Sequence, residues 1–338
     1  MPRRVSLVLL GLAAGALGAL TGCAGGSERA ESSTDVVDAT EPADVRPDAP
    51  PPRNPCPVAV IRLDEGPQVV PQTVLHLNGQ GSHSAAGEIV TFEWSVVAVA
   101  GSVSVLVPDA AHAAATFEAN LAGTYTFQLR VWDATGTESC VPAAAQVAVV
   151  PDSILHVELL WTTPGDDDPT DEGPSAGTDL DLHFAHPYAA MDDLDGDGAP
   201  DPWFSAPYDC YWFNRSPDWG SLDPNVDDDP SLDRDDTDGG GPENLNLQEP
   251  QVDPQAPFVY RVGVHYWDDH GFGPAFATLR VYVYSTLVLE VPDVELHEGD
   301  LWDAATIEWP SAETGLVLAP DGSWHITASY PPPGAVQP

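Results

Sequence analysis

Strict alternation of apolar and polar side chains limits what this chain can fold into. In Tyr125–Trp132, the residues Tyr125, Phe127, Leu129 and Val131 alternate with Thr126, Gln128, Arg130 and Trp132. The same period runs through Thr178-Asp-Leu-Asp-Leu-His-Phe184 and through Tyr260–Trp267. A period of two belongs to a strand with one face buried and fits no helix. Further short β-rich runs (Val58–Leu63, Val74–Leu77, Ile89–Val97, Thr116–Phe117, Gln146–Val150, His156–Trp161, Ala277–Val283 and Ala305–Trp309) are separated by Gly, Asn, Asp and Ser clusters. Thirty-five prolines in 338 residues, roughly twice the usual 5%, work against long helices. The pattern predicts an all-β protein with two tandem sandwiches, residues 54–151 and 152–310. Edge strands and a tail follow in 311–338, including Leu316–Leu318 and Trp324–Ile326.

Charge separates the two predicted sandwiches. The chain carries a net charge of −42, and its 11 basic residues include no lysine. Nucleic acid is excluded as a natural partner, because phosphate neutralisation needs clustered cations. Residues 152–310 alone account for −32 of the total, so most of the acid belongs to one domain.

The N-terminus reads as an address. Arg3 and Arg4 precede an apolar stretch, Val5–Leu20, which is too short for a comfortable membrane span but suits a secretory signal. Leu20-Thr21-Gly22-Cys23 resembles a bacterial lipobox. That resemblance implies removal of residues 1–22, acylation of Cys23 and stable membrane anchoring by several acyl chains. Ala24, where an Asp would mark inner-membrane retention, favours the outer membrane, with its periplasmic or outer side left open. Residues 23–53 are small, acidic and proline-rich, too poor in apolar side chains to offset the entropy of ordering, and read as a tether.

Residues 54–151 resemble the polycystic kidney disease (PKD) domain, an immunoglobulin-like module. The resemblance is carried by Leu77-Asn-Gly-Gln-Gly-Ser82, Glu93-Trp94, Gly123-Thr-Tyr125 and Leu129-Arg-Val-Trp-Asp133 with Gly136. It implies a spacer or adhesive module and no catalyst. Ser95-Val-Val-Ala-Val stands where that family has an acidic-glycine turn, so a role tied to that turn does not carry over. With Cys23 acylated, Cys56 and Cys140 lie in one domain of an oxidising compartment and are expected to form a disulfide. Cys210 is left as a buried small residue with no histidine beside it in sequence.

The acidic domain carries the candidate metal ligands. Asp193-Leu-Asp-Gly-Asp-Gly-Ala-Pro-Asp201 brings Asp193, Asp195 and Asp197 toward one point. Gly198 allows the bend, the Ala199 carbonyl can turn inward and Asp201 can close the shell, as around Ca2+. Phe204 stands where an EF-hand would have its twelfth-position glutamate, and the loop instead resembles the shorter calcium loops of integrin-type hairpins and thrombospondin type 3 repeats. In Thr178–Phe184, a strand places Asp179, Asp181 and His183 on one face, where the carboxylates repel unless a cation intervenes. Asp233, Asp235, Asp236, Asp238 and Glu243 surround a glycine-rich turn. Asp179-Leu-Asp-Leu-His183, the Leu232–Glu243 run and Tyr260-Arg-Val-Gly-Val-His-Tyr266 together resemble a YfaP-like bacterial domain of unknown function, which implies a β-sandwich and no established activity.

Three chemistries compete. Zinc hydrolysis would draw on His183, His186 and His265 with Asp179 or Asp181, but no H-E-x-x-H is present and 183 and 186 point to opposite faces of a strand. Paired carboxylates for glycoside cleavage are uninformative among so many acids. Carbohydrate or surface-polymer binding would use aromatic faces, with Trp212 and Trp219 as candidates alongside Trp203, Tyr211 and Trp267, and His183 and His265 nearby; such rings also serve as core. The residues therefore point to a non-enzymatic, calcium-stabilised, lipid-anchored display protein that binds a glycan or an envelope protein.

Overall fold

A computed structural model describes residues 56–331 apart from 172, 174, 224, 238, 254, 255, 312, 313 and 319–324. Cys23, the signal segment, the tether and Asp238 lie outside the described residues. The described residues contain no helix, and the protein is all-β.

The first sandwich runs through β1 (Arg62–Leu63), β2 (Gln68–Val69), β3 (Thr73–Asn78), β4 (Ile89–Val97), β5 (Ala114–Ala119), β6 (Gly123–Asp133) and β7 (Ala143–Val149). One sheet has the order β1-β3-β5 and the other β2-β7-β6-β4. Alternation on β6 turns Tyr125, Phe127, Leu129 and Val131 inward against Leu75, Leu77 and Phe117 of the facing sheet. Each fully buried ring or aliphatic side chain contributes roughly 1.5–3 kcal/mol. Phe117 meets Tyr125 and Phe127 edge-on, with ring centroids 5.6 and 5.4 Å away. Cys56 and Cys140 are bonded, with Cα atoms 5.5 Å apart. The first strand is shorter than its apolar run suggests: Val58 makes only an isolated bridge to His83.

The second sandwich comprises β8 (Leu155–Thr162), β9 (Asp179–Ala185), β10 (Asp209–Cys210), β11 (Pro230–Leu232), β12 (Glu243–Leu247), β13 (Phe258–Asp268), β14 (Ala275–Val283), β15 (Thr286–Leu296), β16 (Leu301–Ser311), β17 (Thr314–Leu318) and β18 (His325–Thr327). A five-stranded sheet, β11-β12-β8-β14-β15, faces a six-stranded one, β10-β9-β13-β16-β17, with β18 also on β16. Leu155, Val157, Leu159, Leu279 and Val281 pack against Leu180, Leu182, Phe184, Tyr260, Val262 and Val264.

Two strands go beyond the sequence reading. β15, absent from that reading, is an edge strand that carries Pro292 and Asp293 with a register shift opposite Ala277/Leu279, and Leu287 and Val288 are exposed. An edge tolerates such residues because half of its ladder is unpaired. β12 begins inside the acidic glycine turn at Glu243 and pairs with β8 from Glu243↔Leu159 to Leu247↔Leu155.

Buried polar groups join the two sandwiches. Glu158 on β8 is fully buried; its Oε1 accepts from the Ala122 amide at 2.6 Å and its Oε2 from the Tyr282 hydroxyl at 3.2 Å. Arg280 donates to the Ala100 carbonyl at 3.3 Å. Gly101 has φ +89, and a Cβ there would meet Leu160 Cδ1 at 2.1 Å, so the approach of the two sandwiches requires glycine.

Candidate functional site

The alternation in β9 sends Leu180, Leu182 and Phe184 into the core and leaves Asp179, Asp181 and His183 on the opposite face. That face is not in water. The connection from β9 to β11 folds back over it, and Trp203, Phe204 and Tyr211 make a small apolar cluster there with Leu301 and Tyr330. At Gly263, opposite His183 in the ladder, a Cβ would lie 2.6 Å from the Trp203 ring, so glycine lets the indole sit directly on β13.

His183 is fixed on both sides. Its Nδ1 lies 2.7 Å from Asp209 Oδ2, which also accepts the Phe204 amide at 2.6 Å, and Tyr211 stacks on the imidazole at 5.1 Å. The buried Nε2 has no hydrogen-bond partner. His265 stands opposite Asp181 in the ladder, with Nδ1 3.8 Å from Asp181 Oδ2. Burial, with His183 next, pushes the His265 imidazole down to about 3, so it is neutral.

The acids of β9 meet the glycine turn and β12. Ligand oxygens of Asp181, Asp235 and Glu243 all lie within 4.8 Å of one another. Glu243 is fully buried: its Oε2 accepts the Leu182 amide at 2.6 Å, along the part of β9 that β10 does not cover, and its Oε1 accepts the Asp236 amide at 3.2 Å. The turn into Glu243 depends on Gly241 (φ +71), where a Cβ would meet the Trp161 ring at 2.8 Å. Burial, then the charges of Asp181 and Asp235, raise the Asp179 carboxyl to about 8. Burial raises Asp181 to about 7 and lifts Glu243 well above the usual carboxylate range. Like charges at such spacing resist ionising together without a counter-charge. The orphaned buried oxygens, Asp179 Oδ1 and Asp181 Oδ2, fit a missing cation partner, and an all-carboxylate donor set suits a hard ion such as calcium over zinc.

Asp233 is engaged otherwise: its side chain accepts from Ser231 and Asn246, and Arg215 holds its carbonyl. The loop from Asp193 to Asp201 forms a second acidic group. Asp193, Asp195 and Asp197 are exposed, with ligand oxygens within 4.8 Å of one another. Their carboxylates organise the loop through the amides of Gly196, Gly198, Asp197 and Ala199. Asp201 is not in that set; it is buried, and its Oδ2 accepts from Leu194, Asp195 and the Tyr330 hydroxyl.

The histidine set expected of a zinc site is not assembled. Among the described residues, the groups whose ligand atoms converge are the two acidic ones. The His183 and His265 rings are 6.5 Å apart, and His186 packs instead among Tyr208, Trp219 and Phe258. Trp219 is a correction to the aromatic reading: it is 1% exposed, stacks on Phe184 and donates Nε1 to the Pro207 carbonyl at 2.8 Å, so it offers no face to a ligand. Trp212 is half-buried against the Trp203 cluster, with Phe213 and Trp267, 69% and 37% exposed, packed on it. Cys210 is buried in the core, and burial pushes its thiol up, away from reactivity. Glu243 was legible only as one acid of the turn; its central place comes from β12, which the glycine run concealed.

No curated protein matches this chain in sequence. Among solved structures, similarity extends to the PKD domain of the KIAA 1837 protein (26% identity, 26% of this chain and 83% of that chain, TM-score 0.22). It extends also to carbohydrate-binding modules of the β-sandwich superfamily (15% identity, 70% and 100% covered, TM-score 0.25). A third is the chicken CNTN1 FN1-FN3 domains (7% identity, 80% and 88% covered, TM-score 0.21). A family model of the PKD domain matches residues 68–149, which span β2 to β7. The first sandwich of this chain is a PKD domain.

Proposed function

We propose that this protein is a non-catalytic display protein, anchored through acylated Cys23 at the outer membrane of a bacterial envelope. Residues 23–53 lift the fold from the lipid, the PKD domain spaces and orients, and the YfaP-like second sandwich, stabilised by calcium, binds the partner. The observation that carries the calcium reading is the convergence of Asp181, Asp235 and Glu243 within 4.8 Å around buried oxygens that lack partners. Calcium supplies positive charge and roughly six to eight oxygen positions, which such a set and the Asp193–Asp197 loop can partly fill. The chain's own residues do the rest: Glu243 ties the edge of β9 to the turn, and the Trp203 cluster keeps water from the face of Asp181.

The test is thermal melting of the full chain. Saturating calcium at about a hundred times its dissociation constant is expected to add roughly 2.7 kcal/mol per site, and EGTA to remove it. Identical melting in calcium and in EGTA overturns the reading. A second reading, glycan binding, is favoured by the exposed Phe213 and Trp267 on half-buried Trp212.

A further inference from the structure

The geometry points to a divalent-cation site at Asp181, Asp235 and Glu243 that locks the PKD domain onto the second sandwich. This rests on the calcium reading and adds to it a place and a consequence. The residue next to each of two ligands grips the first sandwich. Arg234, beside Asp235, pairs with Glu118, and Asn244, beside Glu243, donates Nδ2 to the Asn120 carbonyl at 3.2 Å. Between them, Gly240 comes so close that a Cβ there would stand 3.0 Å from Val103.

The acids are not the only sign of a missing ligand. His265 is 1% exposed, the Tyr330 backbone lies beside its ring, and its Nδ1 faces Asp181 Oδ2, a buried oxygen without a hydrogen-bond partner, across 3.8 Å. Buried polar atoms rarely lack partners, and here they gather at one point. An ion also has a way in. Asp235 and Asp236 line a cleft of about 490 Å³ whose opposite wall is Val103, Val105, Glu118 and Asn120 of the first sandwich.

The consequence follows from the turn between β11 and β12, which carries Arg234 and Gly240; among its described residues none belongs to a strand, and backbone hydrogen bonds hold it at Asp233 (to the Asn244 carbonyl, 2.8 Å) and at Gly240 (from the Trp161 amide, 3.3 Å). Without a counter-charge nothing draws the three acids at its root together; a cation does, and sets Arg234 and Asn244 against the PKD domain. By linkage, weakening the grip must weaken the ion.

Hydrogen exchange of the full chain, with calcium or EGTA, tests this at the 114–125 segment of the PKD domain, which contributes no ligand. Calcium is expected to slow exchange there about tenfold. Asp235→Asn, at a partly exposed position, abolishes the effect, whereas Asp193→Asn in the surface loop preserves it. Glu118→Gln lowers calcium affinity several-fold without touching a ligand. Calcium that raises the melting temperature but leaves 114–125 unchanged, or protection that survives in both Asp235→Asn and Asp181→Asn, overturns the lock and spares the calcium reading. Absence of any calcium effect on melting overturns both.

Discussion

Asp133 of the first sandwich and the Asp179–Asp181 pair of the second are buried in opposite ways. In the PKD domain, Asp133 is buried at the end of β6 and is surrounded by donors: Ser84 Oγ at 2.7 Å, Thr135 Oγ1 at 2.6 Å and the amides of Thr135 and Thr137 at 3.0 and 3.2 Å. In the second sandwich, Asp179 and Asp181 are buried with orphaned oxygens and with other acids as neighbours. At Asp133 the chain itself supplies the donors; at Asp179 Oδ1 and Asp181 Oδ2 it supplies none, and that gap is the one the proposed ion would fill.

The disulfide gives the largest way to break that comparison. Cys56 and Cys140 are 84 residues apart, and closing a loop of that size contributes about 4 kcal/mol in the chain-entropy model. The Cys56→Ser/Cys140→Ser variant should therefore lose most of that in denaturant melts, with the loss concentrated in the PKD domain. A loss below about 1 kcal/mol would mean that this module is held by its core alone and is not the covalently closed half of the pair.

How much of this was legible follows from where information sits in a chain. The strands β6, β9 and β13 show in the sequence because each turns one apolar face to the core and writes a period of two, but that period does not reveal that the polar face of β9 is buried as well. The loop from Asp193 to Asp197 shows because its groups are neighbours in sequence. The set of Asp181, Asp235 and Glu243 does not: Glu243 lies 61 residues beyond Leu182, whose amide it accepts, and only strand order brings them together. Composition also could not distinguish Trp219 from Trp267. One is core and the other surface, and that depends on how the β9 to β11 connection folds back.

A smaller effect, with a cleaner sign, comes from pH. Hydrogen bonds from Thr135, then Ser84, hold Asp133 below its usual 3.8, so its contribution is in place above that value and is lost as pH falls through the lowered one. Asp179 and Asp181 behave inversely. Raised to about 8 and about 7, they favour the metal-free fold below 3.8, and that contribution is lost as pH rises through 7 to 8. His265, held near 3, works in the other direction, its contribution being lost as pH falls from 6.5 toward 3. Of these groups, then, only the carboxylates titrate between 6.5 and 8. In EGTA the melting temperature should fall across that interval, and calcium should flatten the slope. Substitution sharpens the contrast: Asp133→Asn destabilises at pH 8, whereas Asp179→Asn stabilises the metal-free protein there. Two destabilised variants in EGTA would remove the distinction between the modules.

The smallest expected change in stability tests whether the acidic sandwich carries a surface for a partner in addition to its ion. Phe213 and Trp267 are exposed and pack on Trp212, with centroids 5.6 and 5.5 Å from its ring. Trp267 leans on the buried His265 ring at 5.8 Å and Phe213 on Tyr211 at 6.3 Å, and of the two Phe213, 69% exposed, covers the less. Replacing Phe213 with Ala should therefore change stability by no more than about 0.5 kcal/mol, the usual range for surface positions. If the rings form a sugar platform, Phe213→Ala and Trp267→Ala each abolish whatever signal the full chain gives on a glycan array in calcium, while Trp132→Ala on the PKD domain leaves it intact. Silence of the unaltered protein on that array removes the glycan and leaves a structural or protein-adhesion role. A melting loss of several kcal/mol in Phe213→Ala would instead place that ring with Trp219 as packing.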